Sequence, residues 1–228
     1  MASGEQVQRD QIAEASVEGI QQPLRGLNRL AGPQQTVDPL RVQRRDLMKY
    51  SCELTLDTNT AHRNLKLSDN NRKVTWVEEK QPYPHHPERF DDCCQLLCRD
   101  VLTGRCYWEV ERRRGGVSVA VSYRGIRRRG NSDGCMFGWN DQSWSLNCSD
   151  DGYYVCHNNS RTVLPLSSSS ISRRVGVYVD CPAGSLSFYR VSSDSLIHLH
   201  TFNTTFTQPL YPGFGFWLYG ASMSLCSL

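Results

Sequence analysis

From Tyr50 to the C-terminus the apolar residues recur at every second position, and this period constrains the fold class more than any other feature of the chain. Successive side chains of a strand point to opposite faces, so a period of two marks half-buried strands, whereas an amphipathic helix repeats every three to four residues. Val117, Val119 and Val121 alternate with Ser118, Ala120 and Ser122, and Val175, Val177 and Val179 alternate with Gly176, Tyr178 and Asp180. Cys106, Trp108 and Val110 oppose Tyr107, Glu109 and Glu111, a run expected to show one dry and one wet face. Arg72–Val77, Ser185–Tyr189 and Phe214–Leu218 extend the series, with Gly, Pro, Asn and Asp between the runs. Many short strands with such punctuation imply an all-β, two-sheet antiparallel sandwich. Trp108, Trp144, Phe188 and the valines at 117, 119, 175 and 177 are its expected core.

Turn chemistry agrees with this reading. Cys181-Pro182-Ala183-Gly184 separates two strand-like runs, with Pro fixing φ and Gly accepting a positive φ, so antiparallel neighbours are expected there. Asp150-Asp151-Gly152 reads as a second turn and Ser167–Ser170 as a surface loop. Gln81–Pro87 carries three prolines and cannot donate a regular ladder. Residues 1–48 differ in kind, having neither an aromatic residue nor a cysteine. Val17, Ile20, Leu24 and Leu27 keep a helical spacing that Gly19 and Pro23 interrupt, so this segment is read as a flexible or weakly helical leader. The sandwich is placed at 49–228.

A net charge of +3 is too small to mark a nucleic-acid binder. No apolar run is long enough for a membrane-spanning helix, and the first residues lack the basic and then apolar pattern of a secretory signal, so a soluble, cytoplasmic chain is expected. Ten cysteines invite a disulfide reading, but they lie singly inside strand-like runs of a chain too large to need staples. Ten free thiols are the expectation. In that compartment the sequons at Asn147, Asn158 and Asn203 carry no sugar.

Motifs for chemistry fail at their key positions. Gly125–Ser132 has the spacing of a phosphate-binding loop but places Asn131 where the lysine must stand, and no helix follows. Cys93, Cys94 and Cys98 with His85 and His86 lack the paired spacing of a zinc site. His157 near Asp150, Asp151 and Cys156 comes without a nucleophile elbow. No catalytic residue, metal or cofactor is assigned, and the chain is read as no enzyme.

Several motifs, in order, resemble a known family. Leu54–Ala61 looks like the opening of a PRY segment, and Tyr107-Trp108-Glu109-Val110-Glu111 like the start of SPRY. Trp139–Leu146, Val175–Asp180 with Gly184–Tyr189, and Pro209-Leu210-Tyr211-Pro212 stand where that family has them, although Thr58 and Cys181-Pro182 depart from its usual residues. The whole resembles the C-terminal PRY-SPRY domains of fish NOD-like receptors, with tripartite-motif and stonustoxin-like proteins as relatives. The resemblance implies a concanavalin-like jelly roll, PRY about 50–103 and SPRY about 104–228, with loops at one edge binding a protein partner and no catalysis.

Loops on a rigid scaffold carry function, and exposed Tyr, Trp and Arg dominate binding energy, so the candidate partner-binding residues are Tyr83, Arg124, Arg127, Arg128, Arg129, Trp139 and Tyr219. Replacing Arg127–Arg129 together by Ala is expected to lower partner affinity and leave stability nearly unchanged. A second arginine run, Arg112–Arg114, reads as a solvated hairpin tip. The leading function is an intracellular protein-interaction module in innate immune recognition. The alternatives are a secreted or toxin-like sandwich binding glycan or membrane, and the substrate-recognition part of a ubiquitin ligase whose RING lies outside this chain.

Overall fold

The computed structural model describes residues 41–130, 132–165 and 172–228. Among the described residues, fourteen strands form two sheets in which every ladder between named strands is antiparallel. The larger sheet holds β1 (Arg41–Gln43), β2 (Leu65–Ser68), β3 (Lys73–Trp76), β5 (Arg105–Arg113), β10 (Arg174–Asp180), β11 (Ser185–Ser192), β12 (Ser195–Asn203) and β14 (Ser222–Leu225). Its order is β1-β12-β11-β10-β5-β14-β3-β2. The smaller sheet holds β4 (Gln95–Leu97), β6 (Val117–Tyr123), β7 (Ser143–Cys148), β8 (Tyr153–His157), β9 (Ser160–Val163) and β13 (Leu210–Phe216), ordered β4-β13-β6-β7-β8-β9.

The core lies between the sheets. Trp108, Val110, Val175, Val177, Val179, Leu186 and Phe188 of the larger sheet meet Val117, Val119, Val121, Trp144, Leu146 and Phe214 of the smaller one, and all are buried. The alternation expected from sequence is therefore the alternation observed, and burial of these apolar side chains is the main force holding the sheets together. Trp144 is wedged edge-on between Tyr123 and Phe206 at centroid distances of 5.4 and 5.2 Å. The β10–β11 hairpin turns where expected: Gly184 has φ +70°, and a Cβ there would stand 1.9 Å from the Thr204 carbonyl oxygen.

The structure departs from the sequence expectation in several places. The expected wet face of β5 is dry over Tyr107 and Glu109, which are fully buried, and wet only at Glu111. The cover is the short β1 strand, which pairs with β12, and the helix α1 (Arg44–Met48) that follows it. Val42, Leu47, Met48 and Tyr50 pack on Tyr107, Tyr189 and Leu196, while Arg44 forms a two-pronged ion pair with Glu109, its Nη2 3.0 Å from Oε2. The larger sheet thus takes in β1 from Arg41, ahead of the boundary placed at 49. The helical spacing of Val17–Leu27 and the Ser167–Ser170 loop lie outside the described residues.

Ten free thiols are not found: Cys52 and Cys106 are bridged and the other eight cysteines are free. The Cys52 amide donates to the Tyr107 carbonyl at 3.0 Å, which sets the two Cα atoms 5.7 Å apart, inside disulfide reach. Local sequence spacing gives no hint of that pairing. Arg112 is no solvated tip either, being buried with Nη1 donating to the Arg114 carbonyl at 2.8 Å and its guanidinium over the Tyr153 ring. Of the three sequon asparagines, Asn147 is buried while Asn158 and Asn203 are exposed.

Candidate functional site

On the smaller sheet, the alternation that sends Val and Leu inward leaves Ser118 and Ala120 of β6, Asn147 of β7, Tyr154 of β8 and Gly213 and Gly215 of β13 facing outward. This face is not bare. The segment between β6 and β7 folds back over part of it, with Ile126 and Phe137 packed on Ala120, Leu97 and Phe90. Gly213 makes room for this roof, because a Cβ there would lie 2.7 Å from the Phe137 ring. Gln95 fastens it, its side-chain amide donating to the Cys135 carbonyl and accepting from the Phe137 amide at 3.4 Å. Asn140 holds the roof's own turn by donating to the carbonyls of Asp133 and Met136 at 2.9 and 2.8 Å.

Where the roof stops, a groove of about 310 Å³ remains open over the sheet. Its polar floor is internally satisfied: Ser118 Oγ donates to Asn147 Oδ1 at 2.5 Å, and Asn147 Nδ2 donates to Ser145 Oγ at 3.0 Å. Met136, Phe137 and Trp139 enter from the roof, and Tyr154, Phe216 and Trp217 from β8 and the end of β13. The Tyr154 and Trp217 rings lie 6.3 Å apart, and the Arg161 guanidinium covers Tyr154 at 4.0 Å. Burial pushes the Tyr154 hydroxyl pKa up. Beyond Trp217 the chain turns through Leu218 and Tyr219, which are 45% and 58% exposed, so an apolar rim continues out of the groove. Apolar residues of this size, left in water beside a groove, make this the candidate binding surface of the domain.

The groove's thiols do not make it a nucleophilic site. Burial pushes Cys93 up to about 12 and Cys94 to about 11, so both are protonated near neutral pH. Cys94 Sγ lies 3.4 Å from His62 Nδ1, but burial lowers the His62 pKa, and the pair is a neutral contact rather than a thiolate and imidazolium. The arrangement can hold an apolar or aromatic group against a hydrogen-bonding floor.

The residues singled out from sequence fall into two sets. Trp139 lines the groove and Tyr219 stands on its exposed rim. Arg127 and Arg129 are exposed on the roof segment, with Arg129 Nε 3.4 Å from Asp91. Tyr83, Arg124 and Arg128 instead hold loops in place. The Tyr83 hydroxyl donates to the Leu65 carbonyl at 2.7 Å and accepts from the Leu67 amide at 3.3 Å. Arg124 grips both oxygens of Glu88 and reaches Asp57 at 3.2 Å, with its guanidinium over Tyr211. Arg128 donates to the carbonyls of Glu88, Arg124 and Ile126 and lies over Phe90, and burial lowers its pKa to about 10. The triple alanine change expected to spare stability therefore removes a structural residue along with two exposed ones.

Sequence reasoning missed Met136, Tyr154 and Trp217. It ran the last strand through Leu218, whereas β13 ends at Phe216 and leaves Trp217 and Leu218 exposed. Tyr154 carried a usable signal, since it opposes the inward Tyr153 and Val155, yet alternation alone cannot say that an outward residue meets a roof.

The family model for the SPRY-associated domain PRY matches residues 54–102, and that for the SPRY domain matches residues 105–227. The beta subunit of stonustoxin from Synanceia horrida is 42% identical over 75% of this chain and 24% of its own length. Tripartite motif-containing protein 16 from Mus musculus is 37% identical over 77% of this chain and 31% of its own. The chain thus spans about a quarter to a third of these relatives. Among solved structures, the TRIM65 PSpry domain superposes with a TM-score of 0.73 at 30% identity, over 87% of this chain and all of that one. Stonustoxin gives a TM-score of 0.74 at 39% identity over 81% of this chain and 28% of that chain.

Proposed function

The chain belongs to the PRY-SPRY family of protein-interaction modules, and from that premise we propose that it is a non-catalytic binding domain whose groove takes a protein partner. The observation that supports this most is the exposed apolar rim, Trp217, Leu218, Tyr219 and Met136, beside an aromatic-lined groove on a rigid sheet. Tyr and Trp give large contact area at low entropic cost, and Arg127, Arg129 and Arg161 supply a polar margin of the kind that surrounds binding hot spots. The proposed setting is innate immune recognition in the cytoplasm, a reading that rests on the resemblance to receptor C-terminal domains and on eight free cysteines against one bridge.

The test is photo-cross-linking in a lysate, with a benzophenone amino acid replacing Tyr219 and, as control, Lys66 on β2. Protein adducts are expected at 219, absent at 66, and reduced by Trp217→Ala. Equal labelling at both positions, or no response to Trp217→Ala, would refute the groove as the binding surface. A second reading, a secreted or toxin-like sandwich, is favoured by the Cys52–Cys106 bridge and the exposed sequons at Asn158 and Asn203. Alkylating thiols at the moment of cell lysis separates the two, because the cytoplasmic reading requires Cys52 and Cys106 to be captured as free thiols.

A further inference from the structure

The segment before β4 is sewn to the roof of the groove by backbone and side-chain bonds. The Asp91 amide donates to the Arg128 carbonyl at 3.0 Å, the Gly130 amide donates to Asp92 Oδ2 at 2.9 Å, and Arg129 pairs with Asp91. Two thiols converge at this seam. Cys135 Sγ donates to the Arg129 carbonyl at 2.7 Å and Cys93 Sγ to the next carbonyl, Gly130, at 3.7 Å, so the two sulfhydryls meet on consecutive carbonyls of one short stretch. Cys94 points elsewhere, its Sγ 3.4 Å from His62 Nδ1.

We infer that Cys93 and Cys135 are a closable dithiol, which a disulfide oxidant of the glutathione class converts to a bridge that staples the roof of the groove to the segment before β4. The order of events follows from exposure. Cys93 is half-buried and borders the groove, whereas Cys135 is buried, so the oxidant meets Cys93 first. The Cys93 thiolate attacks one sulfur of oxidised glutathione, forming a mixed disulfide and expelling one glutathione thiolate. The Cys135 thiolate then attacks Sγ of Cys93, forming the bridge and expelling the second. The two protons given up by the protein thiols end on the two reduced glutathione molecules, and two electrons pass from protein to oxidant. Burial holds Cys93 near 12, so the first step draws on a small thiolate fraction and its rate rises by about tenfold per pH unit between roughly pH 7 and 9.

Closing the bridge ties down Cys135, next to Met136 and Phe137 in the groove wall, so amide exchange across 132–139 is expected to slow by about tenfold relative to the reduced protein. This consequence can be read without any partner, so it stands or falls separately from the binding function proposed for the groove.

The experiment treats the folded chain with oxidised glutathione, quenches free thiols with an alkylating agent, and maps disulfides by mass spectrometry without reduction. Wild type and Cys94→Ser should both give a peptide linking positions 93 and 135, and Cys93→Ser should give none. A lasting glutathione adduct on Cys93 with Cys135 still alkylatable would overturn the inference. So would a bridge that Cys94→Ser removes, or unaltered thiols at oxidant ratios that oxidise a free dithiol peptide.

Discussion

Replacing Arg44 by Met should unfold the domain at a much lower temperature, although Arg44 lies outside the stretch that either family model matches. Glu109 is fully buried in the face of the larger sheet and is held by three groups: the forked Arg44 guanidinium, the Tyr107 hydroxyl donating to Oε1 at 2.6 Å, and Arg174 at 3.5 Å. Removing one partner of a buried ion pair costs about 3–5 kcal/mol, because the remaining charge keeps its desolvation penalty and loses its compensation. Here Arg44 retains 20% exposure and Arg174 still approaches Glu109, so the low end, about 3 kcal/mol, is the reasoned value. For a domain of this size that corresponds to a fall in Tm of about 6–12 °C.

The informative assay is a double-mutant cycle read by differential scanning calorimetry. Glu109→Met leaves Arg44 with its partial exposure, through which water can reach it, and should cost less than Arg44→Met. The double variant should be more stable than Arg44→Met alone, because no unpaired carboxylate remains under the strap. If Arg44→Met melts within about 1 °C of wild type, the Arg44–Glu109 pair carries no stability of the domain and the buried-charge argument fails.

Three further outcomes follow from the roof and its seams. Arg128→Ala, which removes three hydrogen bonds to carbonyls and the cover over Phe90, should cost about 2 kcal/mol by urea denaturation, whereas Arg127→Ala with Arg129→Ala should stay within about 0.5 kcal/mol; the reverse ranking would refute the division of the triplet. Gly213→Ala should push Phe137 off the sheet at a cost of about 1–3 kcal/mol and quicken exchange of the Phe137 amide, and wild-type stability would show the roof to be loosely seated. The hydrogen bond from Arg124 lowers the pKa of Glu88, so its stabilisation is full above the ordinary glutamate range and is lost as pH falls through the lowered folded value. The gap between wild type and Glu88→Gln, about 1 kcal/mol at pH 7 for this part-exposed pair, should close as pH falls below about 4.5, and a constant gap would rule out the linkage.

The expectations that survived and those that did not divide along one physical line. The period-two valines, the Trp144 core and the Gly184 hairpin depend on interactions local to a strand or a turn, and local pattern records them. Glu109 was read as wet because its neighbours Trp108 and Val110 face inward, and nothing within ten residues announces that Arg44 and Leu47 will cover it. Arg128 looked like its neighbours Arg127 and Arg129, and only the return of the chain at Glu88 and Phe90 separates a residue that binds carbonyls from two that face water. The groove follows the same rule. Trp139 and Tyr219 were singled out because they stand where the strand pattern breaks, while Tyr154 and Met136 border the groove only because the β6–β7 segment folds back across the sheet. A site made from one element is written in that element's sequence, whereas this one is made from the edge of a roof, and a roof's edge exists only once two distant segments have met.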